Sequence, residues 1–198
     1  NNAHIAISGR YIITDTHSCL FSFPGVSVSL KVRTSRIRVL LRDHGNEQWN
    51  NYFNVYIDNE LKDVIKLSNN TTSFIFELDK TRFVTFSILK RTESFVGNTE
   101  FVEFEIDDDG ETTPIYRNSM KMEFIGDSIT CGYGIESHSA HEQFEDRTEN
   151  ISLTYASIVS QKFKAESNFV CYSGKGLYRN WGETEPFGTT LTDIYNRT

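Results

Sequence analysis

The sequence predicts a β-sandwich over about residues 1–107, followed by the start of an α/β domain with a parallel sheet over 117–198. Three observations carry this prediction: an apolar period of two in the first half, an acidic turn-forming stretch after it, and a strand-helix-strand order in the last third. With 38% hydrophobic residues in 198, the chain has enough apolar side chains to fill both cores.

The first half contains runs in which apolar and polar residues alternate, as expected of strands with one buried face. The apolar positions of these runs fall within 26–32, 37–41, 53–57, 84–88 and 102–106. No helical period interrupts them, so the runs predict an antiparallel sandwich. Asp58 and Asn59 are residue types that tolerate positive φ, and they predict a tight hairpin turn.

The stretch 107–114 is acidic, turn-forming and poor in apolar residues, which is typical of a boundary, and we expect the linker at 108–116. After it the apolar period changes. The runs 121–125 and 168–172 predict two short strands on either side of a helix. Strand, helix and strand in this order are the opening unit of a parallel sheet.

The predicted helix has its apolar residues on one face and Ser152 as its cap. These apolar residues are Tyr155, Ile158, Val159 and Phe163. A parallel sheet of two strands cannot shield its core, because such sheets are buried on both faces and normally contain several strands. We therefore expect the remainder of the domain to come from a missing segment or from another chain.

Composition excludes some classes of function. A formal net charge of −7 with scattered basic residues disfavours nucleic-acid binding, and no apolar run has the roughly 20 residues of a membrane helix. The first residue is Asn1, and sequons stand at 70–72, 150–152 and 196–198, so we expect a processed, secreted glycoprotein. Neither a metal nor a cofactor is expected.

The cysteines form a sparse set of three: Cys19, Cys131 and Cys171. At most one internal bridge can form among them. Cys131 and Cys171 follow strand ends that should be neighbours, so the sequence places them close together and leaves their bonding open.

Gly126, Asp127 and Ser128 stand at the carboxyl end of the first predicted α/β strand, where open parallel sheets place their active sites. A serine hydroxyl there can attack an acyl carbon while its own backbone N–H points at the developing oxyanion. Gly126 permits a sharp turn, and Asp127 can accept hydrogen bonds from loop N–H groups. The alternative is an ordinary turn, since so short a triplet is weakly specific.

The stretch 122–134, MEFIGDSITCGYG, resembles the nucleophile block of the SGNH (GDSL-like) hydrolases, and more narrowly that of the second family of carbohydrate esterases. The stretch 171–180, CYSGKGLYRN, resembles the second block of that family. Upstream matches to its N-terminal jelly-roll domain lie at 9–11, 23–25, 52–55 and 90–93. The resemblance implies a jelly roll joined to an SGNH α/β domain, in a serine esterase that removes O-acetyl groups from a polysaccharide such as xylan.

Carried onto this sequence, the resemblance makes Ser128 the nucleophile and one oxyanion N–H donor. A second N–H comes from Gly174, with Gly176 as the competing alignment, and either glycine also suits a tight turn. Tyr178 and Trp181 follow the second block. Their rings either stack on a sugar or pack beneath the loop.

The resemblance also implies a further oxyanion donor from an Asn and a general base from a His in later blocks, and no residue up to Thr198 matches them. We therefore expect residues 1–198 alone to be inactive as an esterase, with the base elsewhere in a longer protein. The alternative is a non-catalytic, naturally truncated scaffold that binds glycan or serves in assembly. His138 and His141 are the other candidates for a base, and with Glu142 they form a weak metal pattern.

Overall fold

The computed structural model describes residues 4–45, 48–68 and 71–197. Its first part is a sandwich of two antiparallel sheets. One sheet has the order β1-β4-β9-β6-β7 with β11 added beside β4, and the other has the order β2-β3-β10-β5-β8. The strands are β1 (Ile5–Ser8), β2 (Ile12–Ile13), β3 (Cys19–Phe21), β4 (Ser27–Arg33), β5 (Arg36–Gly45), β6 (Tyr52–Ile57), β7 (Glu60–Lys66), β8 (Thr71–Glu77), β9 (Val84–Lys90), β10 (Gly97–Ile106) and β11 (Glu111–Thr113).

The predicted β-sandwich is confirmed, and its core has the predicted alternation. Every second residue of β4 and β9 points between the sheets and is at most 2% exposed: Val28, Leu30, Val32, Val84, Phe86 and Ile88. Phe86 lies at the centre, where its ring contacts Phe76 and Phe104 of the opposite sheet at centroid distances of 5.3 and 5.8 Å. Burial of each such side chain contributes about 1.5–3 kcal/mol.

One predicted turn of the sandwich is present as expected, whereas one strand departs from the predicted alternation. Asp58 and Asn59 have φ values of 51° and 68° and form the predicted tight turn between β6 and β7. In β10, however, a bulge between Phe101 and Glu103 breaks the alternation. Phe101 is therefore in the core, whereas Val102, predicted to face inward, is not among the core residues.

The predicted linker 108–116 is in part a strand of the sandwich. Glu111–Thr113 form β11, which pairs with Arg33, Val32 and Lys31 of β4. Two consecutive threonines favour an extended backbone, which outweighs the acidic, turn-forming character of the residues before them. The turn itself is fixed by Asp107, whose carboxylate accepts hydrogen bonds from the Ser35 N–H and the Thr34 hydroxyl.

The second part is an α/β unit. Two parallel strands, paired in register from Lys121 with Glu166 to Gly126 with Cys171, form its sheet. One main helix connects them, and single 3-10 turns at Asp146–Thr148 and Ile151–Leu153 precede it. The elements are β12 (Lys121–Gly126), α1 (Ser128–Cys131), α2 (Tyr155–Lys162), β13 (Glu166–Cys171) and α3 (Leu191–Ile194). The predicted strand, helix and strand are therefore present.

Helix α2 is oriented differently from the prediction. Its cap is Thr154, whose hydroxyl accepts from the Ser157 N–H, and not Ser152. The helix buries small residues, Ala156, Ser157 and Ser160, and exposes the predicted apolar face, with Ile158 and Phe163 at 58% and 55%. The Ser160 hydroxyl contacts the Ser167 hydroxyl of β13, so small side chains allow a close approach of helix and strand.

Two surface expectations can be compared with the structure. The sequon at Asn150 is contradicted as a glycosylation acceptor, because this side chain is only 2% exposed and accepts a hydrogen bond from the Ser152 N–H at 3.1 Å. Asn70 and Thr198, which belong to the other two sequons, lie outside the described residues. Among the helices of residues 4–45, 48–68 and 71–197, none is long and apolar enough to cross a membrane.

Candidate active site

Ser128 stands two residues beyond the end of β12, at the first position of α1. The Asp127 carboxylate accepts from the Ile129 N–H at 3.0 Å and so caps this turn, as predicted. Gly126 cannot carry a side chain, because a Cβ there would lie 2.0 Å from the Thr130 Oγ1 atom. The turn ends at Gly132, which has φ 84° and donates its N–H to the Ser128 carbonyl at 3.0 Å. The Asp127 cap and the two glycines thus fix the conformation of the short turn that carries Ser128.

The loop after β13 brings the second predicted block to the same place. A cleft of about 590 Å³ opens between the two strand ends. It is lined by Asp127, Ser128, Tyr133, Ser173, Gly174, Lys175, Gly176, Arg179 and Trp181. The two blocks, which are separated by residues 135–170 in sequence, therefore lie at one cleft.

The predicted sugar-binding residues are both at the surface. Trp181 lines the cleft and is 90% exposed, whereas Tyr178 is 77% exposed and does not line it. Packing beneath the loop, the alternative for these rings, does not agree with such exposure. Tyr133, which the sequence reasoning did not single out, lines the cleft and stacks on Phe144 at a centroid distance of 4.3 Å.

Backbone geometry favours Gly174 over Gly176 as the second oxyanion donor. The Gly176 N–H already donates to the Asn180 side-chain oxygen at 3.3 Å. The Gly174 N–H has no acceptor within the part of the chain that the structure describes, and its φ of 76° is one that glycine adopts readily. Ser128, as the first residue of α1, likewise has an N–H without an intrahelical acceptor.

No imidazole of the described residues lines the cleft. His138 and His141 lie exposed on the loop after Ser128, where their backbone N–H groups donate to Glu142 and Ser139. The described residues therefore bring a serine hydroxyl and two N–H groups without acceptors to the cleft, but no imidazole beside them.

A buried charged segment, Lys90–Glu93, lies directly beneath the site and was missed as a functional element by the sequence reasoning. All four residues are at most 3% exposed. Burial lowers the pKa of Lys90 to about 8, and its ammonium group donates to the carbonyls of Thr92 and Glu93 at 2.6 and 3.4 Å. A signal was present, because Lys90 continues the inward-facing positions of the run 84–88.

Arg91 connects this segment to the α/β unit. Its Nε atom donates to the Glu149 carbonyl at 3.1 Å, and its guanidinium also pairs with Glu136 and donates to the Asn54 side-chain oxygen at 3.3 Å. Burial lowers its pKa. In return, the Ile151 N–H donates to the Arg91 carbonyl at 3.3 Å.

Glu93 and Glu149 form a buried carboxyl pair beside Cys131, with oxygen and sulfur atoms within 4.8 Å of one another. The Glu93 N–H donates to Glu149 at 3.1 Å. Burial raises the pKa of both carboxyl groups, and the charge of Glu93 raises that of Glu149 further, well above its usual range. The Glu93 oxygens already accept hydrogen bonds from Ser173. The nearby Lys90 ammonium adds a positive charge. The cluster therefore suits a hydrogen-bonded network better than a bound cation.

The cysteine question left open by the sequence has an answer in the structure. Cys131 and Cys171 pack in the same buried cluster, and both are free. Burial raises the pKa of both thiols, that of Cys131 well above its usual value. Protonated thiols in an apolar pocket with Ile151, Ala156 and Phe169 act as small packing groups under the site.

The molecule is a β-sandwich joined to a parallel α/β unit, with Ser128 and the second sequence block at one cleft beside the strand ends. The chain belongs to the carbohydrate esterase 2 family, whose N-terminal domain model, "Carbohydrate esterase 2 N-terminal", matches residues 7–115. The resemblance read from the two blocks is thereby confirmed at the level of the family.

Similar proteins agree with this membership. An acetylxylan esterase/glucomannan deacetylase from Cellvibrio japonicus is 28% identical over 200 residues, and the cellulase/esterase CelE from Acetivibrio thermocellus is 28% identical over 196. The match covers 100% and 98% of this chain but only 54% and 23% of those proteins. The chain thus spans about half, or less, of the length of these relatives.

A solved structure shows the same fold. A family two carbohydrate esterase from Clostridium thermocellum, in complex with cellohexaose, superposes with a TM-score of 0.88 at 27% identity. The superposition covers 96% of this chain and 57% of that one. The predicted combination of sandwich and α/β unit is confirmed by this agreement.

Proposed function

We propose that the whole protein carrying this chain is a secreted serine esterase that removes O-acetyl groups from a polysaccharide through an acyl-enzyme on Ser128. One observation carries the proposal: Ser128 and the backbone N–H groups of Ser128 and Gly174 meet at one cleft, and neither N–H has a structural acceptor among the described residues. Acyl transfer needs this combination of nucleophile and oxyanion donors.

In the first step the Ser128 hydroxyl oxygen attacks the acetyl carbonyl carbon, and the carbonyl oxygen becomes an oxyanion that accepts from the two N–H groups. The serine proton passes to a base outside the described residues, and the sugar hydroxyl leaves with a proton. Water then attacks the acetyl-serine and releases acetate. Each missing oxyanion donor typically lowers kcat by about 10²–10³-fold.

The substrate class follows from the cleft and from the relatives. The cleft is open and carries exposed aromatic rings of Tyr133 and Trp181, which suit a neutral sugar ring, and Tyr178 stands nearby in sequence at 77% exposure. The relatives named above include an acetylxylan esterase/glucomannan deacetylase. We therefore propose acetylated xylan or a similar acetylated polysaccharide as the substrate.

The α/β unit has exposed apolar residues that a further segment of chain would bury. Ile125 of β12 and Ile158 and Phe163 of α2 are about half exposed, which is unusual for apolar residues of a parallel sheet and its helix. We propose that a further segment of the protein, or another chain, covers these faces and brings the general base to Ser128.

The test is acetate release by the protein expressed from its complete reading frame. We expect acetate from acetylated xylan or glucomannan, and Ser128→Ala should lower kcat by at least about 10³-fold. Ser139→Ala, at an exposed serine of the following loop, is the matched control and should keep normal turnover. Glycan binding by the wild type without acetate release would favour the non-catalytic scaffold, and near-normal turnover by Ser128→Ala would refute the role of Ser128.

A further inference from the structure

The residue that precedes Gly174 is held by the sandwich. The Ser173 N–H donates to Glu93 Oε2 at 2.6 Å, and the Ser173 hydroxyl donates to the other oxygen, Oε1, of the same carboxylate. Glu93 is completely buried and lies eighty positions earlier in the chain, just after β9. A single carboxylate therefore fixes both polar groups of one loop residue at the edge of the cleft.

Glu93 is itself held in place. Its N–H donates to Glu149 at 3.1 Å, and its carbonyl accepts from the buried Lys90 ammonium at 3.4 Å. Glu149 in turn accepts through its carbonyl from Arg91. The carboxylate thus belongs to a rigid network in which the sandwich and the α/β unit each contribute donors and acceptors.

Gly174 has few other restraints. A Cβ at this position would contact nothing within 4 Å, and among the described residues Gly174 forms one hydrogen bond, in which its carbonyl accepts from the Trp181 N–H at 2.9 Å. Glycine with positive φ and open surroundings has large conformational freedom. The direction of its N–H is therefore set mainly by how firmly Ser173 is anchored.

We propose that Glu93 is a positioning residue for the loop after β13 that contains Ser173 and Gly174. By holding Ser173, this sandwich residue orients the Gly174 N–H toward the reacting acetyl group. The inference rests on the proposed esterase function and extends it, because it gives the sandwich a part in the reaction. The two Ser173 donors bind different oxygens of Glu93, and a carboxylate has two acceptor oxygens at these positions, whereas an amide has an oxygen at one and an NH2 donor at the other.

The experiment compares Glu93→Gln with Glu100→Gln in the protein expressed from its complete reading frame. In glutamine an NH2 donor replaces one of the two acceptor oxygens, so the Ser173 N–H and hydroxyl can no longer each donate to an oxygen of their own. We expect kcat for acetate release to fall by about 10–100-fold with KM nearly unchanged. Glu100 is the matched control: it is a buried sandwich glutamate that also accepts from a serine hydroxyl, that of Ser18, and its other partners among the described residues, Arg42 and His44, belong to the sandwich as well.

Two further measurements separate positioning from loss of the fold. Thermal unfolding of both variants reports stability, and hydrogen exchange of the segment 172–176 should be faster in Glu93→Gln only. Ser173→Ala keeps the N–H anchor and removes the hydroxyl one, so we expect a smaller fall in kcat, and combining it with Glu93→Gln should be less than additive.

The outcomes are distinct. A folded Glu93→Gln protein with normal kcat, or equal losses in both glutamate variants, would overturn the positioning role. If Glu93→Gln does not fold, Ser173→Ala decides, and an unchanged kcat in that variant counts against the inference. An inactive wild type would instead refute the proposed function, independently of Glu93.

Discussion

The sandwich and the α/β unit bury their apolar residues to very different extents. In β9 every inward side chain is at most 2% exposed, whereas in α2 Ile158 and Phe163 are more than half exposed. The sandwich is closed on itself because two sheets cover each other's apolar faces. Within residues 71–197 the α/β unit has two strands, and apolar faces of its helix and sheet are exposed there.

The buried polar contacts, in contrast, connect the α/β unit to the sandwich. Two loop residues of the α/β unit bond to the sandwich segment Lys90–Glu93: Glu149 accepts from Arg91, and Ser173 donates to Glu93. The difference teaches that the α/β unit, which carries Ser128, takes part of its geometry from the sandwich. The sandwich thus has a closed core of its own and also supports the loops around the candidate site.

The largest expected effect tests the closed core of the sandwich. Phe86→Ala removes a fully buried ring and should lower the free energy of unfolding by about 3–5 kcal/mol. Phe163→Ala, at the exposed end of α2, should change it by less than about 0.5 kcal/mol. Urea unfolding of residues 1–198 measures both, and similar losses in the two variants would contradict the comparison.

The next effect tests the polar connection between the parts. Arg91→Met leaves the Asn54 side-chain oxygen and the Glu149 carbonyl without their buried donor and should cost about 2–3 kcal/mol. Arg82→Met, which removes a solvent-exposed pair with Asp58, should cost far less. Urea unfolding again decides, and an Arg91 variant as stable as the Arg82 variant would show that the connection is weak.

A smaller effect concerns pH. The pKa of Glu149 is raised well above its ordinary 4.5, so its stabilisation is complete below pH 4.5 and declines as pH rises toward the folded-state value. One additional bound proton in the native state gives a slope of about −1.4 kcal/mol per pH unit. Glu149→Gln keeps a neutral acceptor for the Glu93 N–H and should flatten this slope between pH 5 and 7. Equal slopes in wild type and variant, from urea unfolding at each pH, would count against a protonated Glu149.

Much of this arrangement could be predicted from the sequence. Alternation identified the sandwich because each strand has one face in the core and one in solvent, a local property of residues such as Val28 and Leu30. Ser128 could be found because a strand end, a glycine and a capping aspartate are adjacent in sequence.

The rest depends on contacts between distant residues. Glu93 and Ser173 are eighty positions apart, so no local sequence pattern predicts their hydrogen bonds. The face by which α2 packs on β13 could not be predicted, because small residues, Ala156 and Ser160, let the helix approach the strand closely, and an apolar face alone does not say what covers it. For Cys131 and Cys171, the sequence predicted that the two residues lie close together. It did not predict that their thiols are free.

The central claim, that Ser128 is the nucleophile of this site, is tested most directly by covalent labelling. The protein expressed from its complete reading frame is treated with an organophosphate that phosphorylates activated serines, and the modified peptide is located by mass spectrometry. We expect a single adduct on Ser128, absent from Ser128→Ala and slower to form in Glu93→Gln than in Glu100→Gln. An adduct on another residue that accompanies loss of acetate release, with Ser128 unmodified, would contradict the account.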